Sequence, residues 1–104
     1  MKLYKLMIQL SLTGWKIRED HGEVQEKPLT YVGRVGYSNR IPKSDIMTIQ
    51  YGQFNRHHSL SAETFCFEEQ KQEAIKMLKD GLTEKAKTII ADVELLKSHI
   101  KATI

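Results

Sequence analysis

Arg56-His57-His58 is the cluster of this 104-residue chain whose residue types hold the most chemistry. A histidine beside an arginine can move a proton while the cation steadies charge on a phosphodiester undergoing cleavage, and neighbouring histidines can contribute to a metal site. A nuclease of that kind would lose its activity in His57→Ala or His58→Ala. The spacing argues against both chemistries. Adjacent residues on a strand point to opposite faces, and no further pair of ligands stands at a recognised interval, so a polar loop or a phosphate-contacting patch is the plainer reading. His21 and His99 stand alone in the sequence and are expected in solvent. Cys66, the lone cysteine, sits between Phe65 and Phe67 with no adjacent cation to favour a thiolate, which predicts a structural thiol. Gly33, Gly36 and Gly52 form no phosphate-cradling loop. The expectation is therefore a protein that is not an enzyme, with no catalytic residue, no metal site and no cofactor.

A second set of residues suits binding rather than catalysis. Tyr31, Arg34, Arg40 and Lys43, together with Arg56, His57 and His58, could form a face that stacks bases and contacts phosphates of a nucleic acid or nucleotide. The same residues serve equally as core aromatics and ordinary solvated charges. Residues 1–67 hold nine Lys/Arg against six Asp/Glu, whereas residues 68–104 hold seven of each, so the whole formal charge of +3 belongs to the front of the chain. An excess of that size falls short of the basic stripe of most nucleic-acid binders. If such binding occurs, it should weaken steeply with salt and on Arg40→Ala or Arg56→Ala.

The elements that must position these residues are led by the last one. Ile75, Leu78, Leu82, Ala86, Ile89, Val93, Leu96 and Ile100 recur by threes and fours, which writes one long amphipathic helix from about Glu68 to about Ala102. Straight, it would be roughly 50 Å long at ~1.5 Å per residue, longer than a globule of the remaining residues is wide. It must bend back or pair. Gly81 is the place for a kink or a break, since glycine costs about 1 kcal/mol in a helix interior. In the straight version, Leu82 to Ile100 alternate four and three as a coiled-coil seam, which leaves two readings open: packing within the chain, or a surface for a homodimer or a partner helix.

Upstream, Tyr4, Leu6, Ile8, Leu10 and Leu12 share one parity, as in a half-buried strand. Thr13-Gly14 signals a turn or bulge, Asp20 to Gly22 a hairpin turn, and Thr30 to Val35 the next strand. Arg40 to Asp45 reads as a tight connector before Ile46 to Tyr51 resumes the sheet, and Glu63 to Phe67 as a last short strand. The fold class is α+β: a small, curved antiparallel sheet or barrel of four to six strands, followed by the long C-terminal helix. A single domain of 1–104 is expected, β-rich over 1–67 and helical over 68–104. No stretch approaches the ~18 apolar residues of a membrane span. The start of the chain, Met1 to Leu12, is interrupted by Gln9 and Ser11 and lacks a cleavage site, so no membrane partner and no export are expected. With the lone thiol, this predicts a cytoplasmic protein.

Lys27-Pro28-Leu29-Thr30-Tyr31-Val32, then Arg40-Ile41-Pro42-Lys43-Ser44-Asp45-Ile46, then Phe65-Cys66-Phe67 leading into Glu73-Ala74-Ile75-Lys76-Met77-Leu78, resembles small proteins encoded by bacteriophages and mobile elements of Gram-positive bacteria. The resemblance spans most of the chain and implies a β-barrel-like sheet joined to a C-terminal helix. The polar stretch from Gly52 to Ala62 departs from the compact hairpin of that pattern and marks a candidate for a specific contact. No functional residues carry over. What the resemblance implies is a non-enzymatic inhibitor, acting in the host cytoplasm, that binds and blocks a host protein, nucleoprotein complex or defence assembly. Its contacts would come from the sheet loops and from Ile75, Leu78, Leu82, Ile89, Val93, Leu96 and Ile100.

Overall fold

Leu6 and Ile8 alternate with Met7 and Gln9 along β1 (Lys2–Ser11), and that alternation sets the architecture. The computed structural model describes residues 1–52 and 59–103 of the chain. Strand β1 is paired on one side with β2 (Gly14–Glu23) and on the other with β7 (Leu60–Cys66), which in turn pairs with the two-residue β6 (Gln50–Tyr51). All three pairings are antiparallel. A second sheet is formed by β3 (Gln25–Glu26), β4 (Thr30–Val35) and β5 (Ser38–Pro42). The fold is α+β, with two open antiparallel sheets and one helix, α1 (Lys71–Thr103). The sheets do not close into a barrel, and in place of the expected single sheet of four to six strands the described residues form seven strands divided between two sheets.

Each face of the larger sheet carries its own core. Tyr4, Leu6 and Ile8 of β1 stand beside Cys66, Thr64 and Ala62 of β7 in register, and this face receives Ala74, Leu78 and Leu82 of α1, all three fully buried. Burial on this scale contributes about 1.5–3 kcal/mol for each large aliphatic side chain. Thr64 joins the core without an unmet polar atom because its hydroxyl donates to the Thr48 carbonyl at 2.8 Å. On the opposite face, at the start of β1, Leu3 and Phe65 meet Val24, Tyr31, Val35 and Ile41 of the second sheet.

Two glycines mark how closely the chain folds over itself. A Cβ on Gly22 would lie 1.9 Å from the Arg34 carbonyl oxygen, and one on Gly33 would lie 2.2 Å from that of Glu23. The expected hairpin turn at Asp20 to Gly22 is thus a continuous part of β2, with its glycine used for close approach. The turn lies at Leu12-Thr13, where Ser11 pairs with Gly14. Leu12 is therefore a turn residue and not the end of the buried parity; it is 83% exposed. The segment expected to resume the sheet at Ile46 enters only through a bridge to Phe65 and then through β6, after a 3-10 turn at Lys43–Asp45.

The helix runs through Gly81 without a break. The glycine serves packing: a Cβ there would come 2.6 Å from the Tyr51 hydroxyl and 3.1 Å from Ile49 Cδ1, so its absence lets β6 approach the helix. The start of α1 is fixed to the sheet by polar contacts. Gln70 Oε1 accepts from the Phe67 N–H at 2.9 Å, Tyr4 donates to Glu68 at 3.2 Å, and Lys71 pairs with Glu19 while lying 4.3 Å from the Tyr4 ring centroid.

Candidate interaction surface

Residues 74, 78, 82, 86, 89, 93, 96 and 100 follow one stripe along α1, but the sheet covers only its first half. Leu78 and Leu82 are fully buried, and Ile75, Ala86 and Ile89 are partly buried against the same core. Beyond Ile89 the helix extends past the sheet. Val93 is 43% exposed, Leu96 62% and Ile100 61%, with Ile90 beside them at 61%. At 100° per residue these four fall within an arc of about 120°, continuous with the buried stripe. The seam packs within the chain over its first half, and over its second half it is exposed.

Where cover ends, a shallow apolar cleft of about 340 Å³ opens between the β1–β2 turn and the helix, lined by Leu10, Leu12, Leu60, Ala86, Ile89 and Ile90. Of these, Ala86 and Ile89 belong to the helix stripe read from the sequence, whereas the sequence places Leu12 in the buried strand parity and does not single out Ile90. The signal for Leu12 was its place next to Thr13-Gly14: a two-residue hairpin loop points its side chains outward. Trp15 and Ile17, on the helix-facing side of edge strand β2, remain about half exposed, and Lys79 lies 5.9 Å from the Trp15 ring centroid.

The basic and aromatic set does not assemble into one face. Tyr31 is a core residue, 8% exposed, edge-on to Phe67 at 5.5 Å between centroids, and so has no open ring face for a base. Lys43 is held by Glu26 at 2.6 Å and lies 5.4 Å from the centroid of the Tyr31 ring. Arg34 donates to the Gly36 carbonyl at 3.3 Å, and Arg34, Arg40 and Tyr37 are exposed. Arg56, His57 and His58 lie outside the described residues.

His21 is exposed beside the Tyr4 ring, whereas Cys66 is turned inward and Lys71 is paired. Cys66 is fully buried in β7, and burial pushes its thiol up from 9.0 to about 11 despite Lys71 nearby. A thiol so protonated is a poor nucleophile at neutral pH. Lys71 is held above its ordinary value, chiefly by its hydrogen bond to Glu19, which makes it a poor proton acceptor. Among the described residues, no group of three His, Cys, Asp or Glu side chains is placed to hold a metal ion, and no helix is long and apolar enough to cross a membrane. What the described geometry offers is an exposed apolar stripe beside a shallow apolar cleft. No protein-family model, curated protein or solved structure matches the chain.

Proposed function

We propose that this chain is a non-enzymatic binding protein that acts by occupying a surface on another protein, in the cytoplasm of a host cell. The observation that carries the reading is the exposed stripe of Ile90, Val93, Leu96 and Ile100 on a helix that has left its own sheet. A row of large aliphatic side chains held in water on a rigid helix is stabilised when another polypeptide covers it. The phage-like resemblance supplies the kind of target: a host protein or defence assembly that is blocked by being bound.

The test is affinity capture of the tagged protein from bacterial lysate at low and high salt, with protein read by mass spectrometry and nucleic acid by absorbance. A stoichiometric protein that stays bound at high salt is the expected result. Capture of nothing would end the blocking role. Nucleic acid that leaves at high salt would move the function to the exposed Arg34, Tyr37 and Arg40.

A further inference from the structure

We infer that the polypeptide covering the distal stripe is a second copy of this chain, packed antiparallel, so that Val93 of one copy lies against Leu96 of the other and Ile100 against Ile89. The inference rests on the reading of the stripe as a protein-binding surface and names its occupant.

The stripe changes cover along its length. Ala74, Leu78 and Leu82 are under the sheet, while among the described residues Val93, Leu96 and Ile100 of the same face are 43%, 62% and 61% exposed. A second helix laid on the distal half must stop where the sheet begins. In the antiparallel arrangement it does so: the tip of each helix points toward the other copy's sheet and ends near Ala86, at the mouth of the cleft lined by Leu10, Leu12 and Leu60. Shifting the pair one heptad further would press Ile100 against Leu82, which the sheet already covers. Shifting it the other way shortens the overlap. The register that joins 93 to 96 and 89 to 100 is the longest that the sheet permits.

A parallel pair meets an obstacle. It would bring both sheets to the same end, and each sheet lies on the side of its helix where the other helix would have to run. The flanking residues are compatible with the antiparallel pair. Residues 92 and 99 flank the seam on one side, and 90 and 97 on the other, so Asp92 stands opposite His99 of the second copy. Lys97 lays its aliphatic stem along Ile90. No like charges are forced together.

The area suffices. Leu12, Ile90, Val93, Leu96 and Ile100 expose on the order of 500 Å² per chain, so covering the patch on both copies removes on the order of 1,000 Å² of apolar surface, about the minimum for a specific interface before flanking residues are counted.

Mass and crosslinking together test the pair. Light scattering on the full chain, from micromolar to submillimolar concentration, should give twice the 12.0 kDa chain mass, and Leu96→Glu, at an exposed position, should return it to the single mass with unchanged circular dichroism. Ile89→Cys and Ile100→Cys chains should form a disulfide when mixed under mild oxidation, and neither should do so alone. In the antiparallel register, like positions lie about 16 Å apart along the axis, beyond disulfide reach, whereas 89 and 100 are adjacent. A wild-type monomer throughout, a dimer indifferent to Leu96→Glu, or crosslinking within each single variant would each overturn the proposal. If the chain is a monomer yet captures a host protein, the stripe belongs to that protein and the binding role survives. If it dimerises and captures nothing, this pairing stands and the blocking role falls.

Discussion

Cys66 shows how one atom's surroundings decide whether a reactive group can act. Its sulfur lies in the core beside Tyr4, Leu6 and Ala74, and the apolar setting holds the thiol protonated to about pH 11, against 9.0 in its absence. The folded state therefore keeps a proton that the unfolded chain gives up between about pH 9 and 11, and stability must fall as pH rises through that window. At about 1.4 kcal/mol per pKa unit the loss is on the order of 3 kcal/mol. The contribution of Lys71, whose value is raised above 10.5 by Glu19, is full below 10.5 and fades only as pH rises beyond it, so the lower part of the window reports Cys66. Urea melts of wild type and Cys66→Ala at stepped alkaline pH measure this. Cys66→Ala should start less stable at pH 7 because of its cavity, yet lose less between pH 9 and 10.5; equal slopes would show that the thiol is not shielded.

At the scale of elements, the close approach of β6 to α1 depends on Gly81. Alanine there gains about 1 kcal/mol of helix propensity, but its Cβ meets the Tyr51 hydroxyl at 2.6 Å. That hydroxyl is the end of a half-exposed ring that also lies 4.1 Å from Lys85 Nζ, so the ring must swing away and forfeit that contact. Gly81→Ala alone should therefore change stability by less than about 0.5 kcal/mol, while Gly81→Ala with Tyr51→Phe should recover most of the helix gain. A double-mutant cycle by urea unfolding checks it, and additive effects would contradict the contact. The same glycine explains why the helix was legible and its continuity was not: periodicity reports which face is apolar, but a glycine required by Tyr51, far upstream in the sequence, looks like one required by a break. Gly22 misled in the same way, as a turn signal in a strand. The leading strand, the helix and its stripe could be read from local spacing. The division into two sheets could not, because it depends on Gly33 letting β4 pass against the end of β2. Nor could the burial of Tyr31, whose neighbours include Leu3 and Phe65 from distant strands. Of the candidate surface, Val93, Leu96 and Ile100 were marked by the seam, whereas their exposure depends on where the sheet stops.

The whole molecule is longer than its residue count requires. A compact chain of this size has a radius of gyration of about 13 Å, but this one has 17.3 Å and spans 62 × 26 × 22 Å. The excess is the helical arm from Ile90 onward, which buries little of its own chain. An arm of that kind is costly to leave bare: it exposes aliphatic surface and orders some fourteen residues for few contacts. Pairing offsets both terms at once, and the direction of pairing sets the shape. Antiparallel arms that overlap over about seventeen residues share about 25 Å of length, so a dimer should reach a longest dimension on the order of 100 Å, with a sheet lobe at each end. Side-by-side parallel copies would keep the length near that of one chain. Small-angle X-ray scattering distinguishes these cases without labels. Leu96→Glu should scatter as a particle with a radius of gyration near 17.3 Å and a length near 62 Å, and the wild type as a rod of about 100 Å. A Leu96→Glu radius near 13 Å would mean that the arm folds back onto its own sheet in solution. The stripe would then be core, and neither a second copy nor a host target would find it open.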